Sequence, residues 1–216
     1  MQTLSVCSTK GGAGKTTLAA ALAVAAAHDH LRVALIDIDP QQTLRAWWED
    51  RGRPENPELL TWKTKLGVRF LPTAVERAAA IGYDLLIIDT PPAIMGIIEL
   101  AVGVADVVLI ATQPSPADLV GNKAIIDMVR RRGTDFAFII NRAEPRGDTL
   151  VPETQTILNT IGPVIGTVVM NRLAYRASLG TGQSAAEIDP TKAGVEITNL
   201  WKGVKKELRA QARKVA

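Results

Sequence analysis

Residues 8–17 read STKGGAGKTT, and this stretch concentrates the chemistry-bearing residues of the chain. Gly11, Gly12 and Gly14 allow consecutive backbone N–H groups to converge on an anion without Cβ interference. The loop lies between an apolar run, TLSVCS, and an alanine-rich helical pattern, so the helix N-terminus adds its own positive potential. In that context Lys15 is placed to bridge the terminal phosphates of a nucleoside triphosphate, and Thr16 to ligate a magnesium ion. Ala13 and Thr17 complete the cradle. The strict pattern G-x-x-x-x-G-K-[ST] fails at its first position, which is Thr9, and a second lysine, Lys10, precedes the glycines.

Two further segments end apolar runs in carboxylates. LLIIDTPP carries Asp89, suited to hold Mg²⁺ through water, with Thr90-Pro91-Pro92 as a switch. ALIDIDPQQ carries Asp37 and Asp39, of which only Asp39 lies fully beyond the apolar run. A helix-capping role is the other reading of Asp37. In a parallel sheet, ligands gather at the carboxyl ends of the strands, where all three acids would sit. Phosphoryl transfer needs positioning and electrostatics more than covalent chemistry, and the sequence shows no Ser–His or Cys–His nucleophile pairing.

Such a site requires alternating elements to hold it. Strands are expected at TLSVCS, RVALID, VRFLP, DLLIID, DVVLIA, FAFII and PVIGTVV, and helices near 16–29, 41–51, 74–80, 93–104, 116–132, 150–160 and 192–215. Continuous apolar strands between helical patterns predict an α/β fold: a doubly wound, mostly parallel sheet flanked by helices. At 216 residues with 47% hydrophobic and 22% charged residues, one globular domain over 1–216 is expected. The single cysteine, Cys7, sits inside the first apolar run, which excludes an internal disulfide and a thiolate metal cluster. The N-terminus lacks the basic region of a signal peptide, and the longest small-apolar stretch, LAAALAVAAA, is about half a bilayer span, so a cytoplasmic location is expected.

The order Lys10-Gly11-Gly12-x-Gly14-Lys15-Thr16 resembles the deviant phosphate loop of the ParA and MinD positioning ATPases. D-x-D-P-Q and D-T-P-P are motifs of the same family. TQPSPADL and NRLAYRASLGTGQSAAE resemble segments of its small plasmid-partition members, so the likeness runs almost the full length. The resemblance implies a Mg²⁺-dependent ATPase that forms a homodimer around two ATP molecules. Lys10 would reach the phosphates held by the other subunit, Asp39 would position the attacking water, and Asp37 would support the magnesium shell set by Thr16 and Asp89. It also implies that an asparagine after the sixth strand, here Asn141, reads adenine. Asn is common in caps and turns, so Asn171 is read as structural or as part of the family segment that follows. The phosphate loop begins within ten residues of Met1, so the helix-turn-helix extension of larger relatives is not expected.

The formal charge is only +3, but NLWKGVKKELRAQARKVA places Lys202, Lys205, Lys206, Arg209, Arg213 and Lys214 against one acid, Glu207. Ile197, Leu200, Trp201, Val204 and Leu208 share an apolar stripe, leaving the cations outward. Arg172 and Arg176 would extend this patch. A solvated face is the plain reading; a surface for non-specific double-stranded DNA is the sharper one, and the family resemblance implies it, with nucleoid association and a centromere-binding adaptor protein as partner. Membrane binding of the MinD kind is disfavoured because Trp201 belongs to the buried stripe. The alternatives are an ATPase that positions a different cargo and a small-molecule enzyme like dethiobiotin synthetase. A redox ATPase of the nitrogenase iron-protein type is excluded by the single cysteine. Trp47 and Trp48 are adjacent on a helix, so one of them is expected to be partly exposed.

Overall fold

The computed structural model describes residues 1–61, 67–147 and 149–215. Seven parallel strands form one sheet: β1 (Gln2–Cys7), β2 (Val33–Asp37), β3 (Glu58–Leu59), β4 (Leu85–Asp89), β5 (Val107–Thr112), β6 (Asp135–Ala143) and β7 (Val169–Met170), in the order β3-β2-β4-β1-β5-β6-β7. The chain steps outward from β1 to β3, returns through β4 to the other side of β2, and then proceeds through β5 on the opposite flank of β1. The carboxyl ends of β1, β4 and β5 therefore meet at the switch point where α/β sheets bind ligands.

Alternation along the strands divides the core. Leu4, Val6, Leu35, Leu85, Ile87, Leu109 and Ile139 face one side, where α1 (Lys15–His28) lies against the sheet. That helix is buried nearly all round because α10 (Ala193–Val215) covers its outer side through Ile197, Leu200, Trp201, Val204 and Leu208. This explains its run of alanines with only Leu18, Leu22 and Val24 among them: small side chains let a helix fit between two layers. On the opposite face Ile36, Leu86 and Ile88 pack on α3 (Leu71–Ile81) and α4 (Met95–Val104), while Ile110, Phe138 and Ile140 pack on α6 (Lys123–Arg132) and α7 (Leu150–Ile161).

Several expectations need correction. VRFLP is not a strand: Gly67–Phe70 form a 3₁₀ turn, and Leu71 begins α3 with Pro72 inside its first turn. Proline has no N–H for a ladder and is preorganised for a helix start. The edge strand is instead Glu58–Leu59, parallel to β2. The helix expected over 116–132 is divided into α5 (Pro116–Gly121) and α6 at Asn122. Two short helices, α8 (Leu173–Ser178) and α9 (Ala185–Ile188), were not foreseen. PVIGTVV contributes only Val169, the first residue of β7, and an isolated bridge at Val164. The remaining helix, α2 (Thr43–Asp50), follows the Asp37–Asp39 segment. Within it Trp47 is buried and Trp48 is half-buried, as their adjacency requires.

Candidate nucleotide-binding site

The loop after β1 turns through left-handed glycines, Gly12 at φ 74° and Gly14 at φ 87°, and hands directly into α1. It forms one wall of a cavity of about 420 Å³ lined by Gly11–Thr17 except Ala13, by Asp39, and by Asn141, Met170, Tyr175 and Leu179. The volume suits a nucleotide.

The two lysines of the loop are placed differently. Lys15 is 6% exposed at the cavity wall, and burial lowers its pKa against the opposing pull of Asp89 and Asp39. Lys10 is directed away, with its ammonium 2.7 Å from Asp118 Oδ1 and its side chain 47% exposed. Asp118 is itself buried and also accepts from Ser115 Oγ at 3.0 Å and the Gln113 N–H at 3.0 Å. This carboxylate was not anticipated, although Ser115-x-x-Asp118 is a visible helix-capping pattern.

Thr16 and Asp89 come together as expected: Thr16 Oγ1 donates to Asp89 Oδ2 at 2.7 Å. Burial pushes Asp89 up to about 8, with the Thr16 hydroxyl pulling it back and Asp37 adding repulsion. Its second oxygen, Oδ1, is buried with no hydrogen-bond partner among the described residues. A hydroxyl beside an unsatisfied buried carboxylate oxygen is a donor set that fits a hard cation such as Mg²⁺. Asp37 is the register partner of Asp89 across the β2–β4 ladder. Its carboxylate, however, accepts from the backbone N–H groups of Asp39 and Arg45, both at 3.0 Å. Burial raises its pKa while those N–H groups oppose the rise. Asp37 thus braces the turn that carries Asp39 and opens α2, which is the capping alternative. Asp39 is half-buried on the cavity wall, and its Oδ1 accepts from the Gln41 N–H at 2.9 Å. Thr90 Oγ1 donates to the Val6 carbonyl at 2.8 Å and fastens the end of β4 to β1 just before the loop. Cys7, beneath the loop, is pushed up to about 12 by burial and remains an inert thiol.

Asn141 reaches the phosphate loop: its amide donates to the Ala13 carbonyl at 2.7 Å. Its neighbour Arg142, which sequence reasoning did not single out, donates to the Gly12 carbonyl. The basic residues divide into two groups. Arg172 does not extend a cationic patch, because Glu196 accepts from both its Nε and Nη2 and neutralises its charge. Arg176 lines the nucleotide cavity instead of joining the α10 face. On α10, Lys205 lies 2.6 Å from Asp29 and Lys214 lies 2.7 Å from Asp135. Lys202, Lys206, Arg209 and Arg213 are exposed, with no carboxylate in ion-pair range among the described residues. Among the described residues no helix is long and apolar enough to cross a membrane.

Comparison with known proteins agrees with this geometry. The family model for the CobQ/CobB/MinD/ParA nucleotide binding domain matches residues 4–185. The maintenance of carboxysome distribution protein A of Gloeobacter kilaueensis is 31% identical, over 89% of this chain and 92% of that protein. Its namesake from Halothiobacillus neapolitanus is 31% identical over 86% and 87%. Among solved structures, the MinD cell division protein of Aquifex aeolicus shares the fold with a TM-score of 0.79 at 21% identity, over 95% of this chain and 98% of that one. The phosphate loop at the switch point, its lysine pair and the Thr16–Asp89 couple thus belong to a chain of the ParA/MinD family of nucleotide-binding ATPases.

Proposed function

We propose that this ATPase works as a DNA-borne segregation motor: ATP and Mg²⁺ bind at the loop, two subunits pair around two nucleotides, the pair binds double-stranded DNA without sequence preference, and hydrolysis resets it. The observation that carries this reading is the contrast between the two loop lysines. Lys15 is buried at its own cavity, whereas Lys10 is half-exposed, faces away and, among the described residues, is held by an ion pair with Asp118. A lysine so placed is free to serve phosphates bound by a second copy once that pair opens. Thr16 and Asp89 would hold Mg²⁺, which supplies charge neutralisation on the phosphates, and Asp39 would orient the attacking water. The four exposed cations of α10 that have no ion-pair partner among the described residues would supply the contact with duplex phosphate. A centromere-binding adaptor would stimulate hydrolysis, and the dimer would reside on the nucleoid.

A second reading keeps the motor and changes the cargo. The relatives from Gloeobacter kilaueensis and Halothiobacillus neapolitanus are named for carboxysome distribution and match most of this chain, which supports a carboxysome as cargo in place of a centromere. The test common to both is binding of a random-sequence duplex with ATP, with ADP and without nucleotide, alongside the Lys10→Ala variant. The expected result is DNA binding with ATP only, and loss of both dimer and DNA binding in Lys10→Ala while ATP still binds the monomer. Undiminished dimers in that variant would overturn the role given to Lys10.

A further inference from the structure

Asp39 and Gln41 line the nucleotide cavity from the segment before α2, and Tyr175 and Leu179 line it from α8 and the residue that caps it. Residues outside the cavity fasten these two segments to each other. Trp47, fully buried in α2, donates its Nε1–H to the Gln183 carbonyl at 2.9 Å. Arg51, which caps the same helix, forks onto Glu187 with Nη1 and Nη2 at 2.8 and 2.7 Å, and Nη1 also donates to the Gly182 carbonyl at 2.9 Å. Its guanidinium carbon stands 5.6 Å from the centre of the Trp47 ring, so the ring and the ion pair brace each other. The two backbones nearly touch there, since a Cβ on Gly182 would meet the Arg51 nitrogen at 2.4 Å. Glu187 is fixed in turn: its Oε2 accepts from the Ser184 N–H at 2.6 Å and completes the capping box of α9. The Arg51 guanidinium holds the Glu187 carboxyl below the ordinary glutamate range. A forked pair whose side chains are 19% and 30% exposed is more directional, and less screened, than an ion pair in open solvent.

The other end of α2 bears on Asp39. Asp37 accepts from the N–H groups of Asp39 and of Arg45 in the first turn of α2, and the Gln42 amide donates to the Asp39 carbonyl at 2.9 Å from the N-cap position. A helix of eight residues depends on tertiary contacts for its stability, so what holds its C-terminus also decides where its N-terminal turn sits. We propose that Arg51 is a positioning residue for hydrolysis: fastened to Glu187 and Gly182, it holds α2, and through α2 the carboxylate of Asp39, in register with the nucleotide. Glu187 is its partner in that role. The effect falls on the chemical step and not on nucleotide affinity, because the groups that cradle phosphate belong to the β1–α1 connection, which the Arg51 side chain does not contact among the described residues. The inference rests on the assignment of Asp39 to the attacking water.

The test measures kcat and KM for ATP with Mg²⁺, well below each melting temperature, in the wild type, Arg51→Met, Arg51→Lys, Glu187→Gln, the double variant Arg51→Met/Glu187→Gln and the control Asp39→Ala. Methionine keeps an apolar stem over the Trp47 ring, and glutamine keeps an acceptor for the Ser184 N–H, so these variants retain the packing around the pair. Displacement of an orienting group by a remote change acts on the chemical step, so Arg51→Met is expected to lower kcat about tenfold, and Glu187→Gln about threefold, with KM within about twofold of the wild type. The double variant is expected to fall no further than Arg51→Met alone, because one interaction is lost in both. Arg51→Lys, which restores one arm of the pair, is expected to recover most of kcat. An unchanged kcat in Arg51→Met beside an inactive Asp39→Ala would overturn the inference. So would a loss confined to KM, or single losses that multiply in the double variant. Wild-type hydrolysis by Asp39→Ala would instead overturn the assignment of Asp39 on which the inference rests.

Discussion

Replacing Lys206 and Arg209 together by alanine should halve the salt dependence of DNA binding without altering ATP turnover in the absence of DNA. Both are exposed on α10, and with Lys202 and Arg213 they make four cations with no carboxylate in ion-pair range among the described residues. Each duplex phosphate neutralised by such a group releases counterion and contributes about −0.9 to the slope of log K against log salt, so four give about −3.6 per protomer and about −7 for a dimer. A fourfold rise in salt then weakens a single protomer by about two orders of magnitude. Removing two of the four lowers the slope by about 1.8 per protomer. Lys205 is the control. Its ammonium is 2.6 Å from Asp29 and its side chain is 26% exposed, so Lys205→Ala should leave the slope near the wild-type value. Fluorescence anisotropy of a labelled random duplex over a salt series, with ATP present, reads all three proteins. Equal slopes in the wild type and the double variant would show that duplex phosphate does not lie on this face of α10. A loss from Lys205→Ala as large as half of that from the double variant would show that the separation into paired and unpaired cations has no bearing on binding.

Two further outcomes follow from buried groups. The folded chain keeps the proton of Asp89 up to about pH 8, whereas an ordinary aspartate releases it near 3.8, so the folded state binds more protons through that interval. Stability from this source is fully present below about pH 4 and is lost as pH rises through 8; Asp89→Asn should flatten the profile in chelator-treated, nucleotide-free protein, and parallel urea midpoints from pH 5 to 9 would refute the burial argument. Gly182→Ala should cost on the order of 1–3 kcal/mol, because φ is 66° and the new Cβ would lie 2.4 Å from the Arg51 nitrogen. A urea midpoint equal to the wild type would refute that close approach.

What the sequence disclosed and what it withheld separate by chain distance. The phosphate loop, α1, Asp89 at the end of β4 and the stripe of α10 are readable because each depends on neighbours within a few residues: glycines before a lysine, an acid closing an apolar run, apolar positions three and four apart. The contacts that shape the loop are not of this kind. Lys10 meets Asp118 across 108 residues, Asn141 meets Ala13 across 128, and Arg142 meets Gly12 across 130. No periodicity encodes such pairs; they exist because the sheet order brings the ends of β5 and β6 beside that of β1. The same holds for Arg172, which looks like one more cation in a basic stretch until the fold sets Glu196 of α10 against it. VRFLP failed for the opposite reason, since an apolar run with too few residues to reveal its period was read as a strand although Pro72 already argued for a helix start. Local composition thus identifies what the site can bind, while its preorganisation rests on pairings that only the topology supplies. Arg142 is the clearest case: neither its type nor its neighbours mark it, and only a bulge in β6 and its left-handed φ turn it toward the loop.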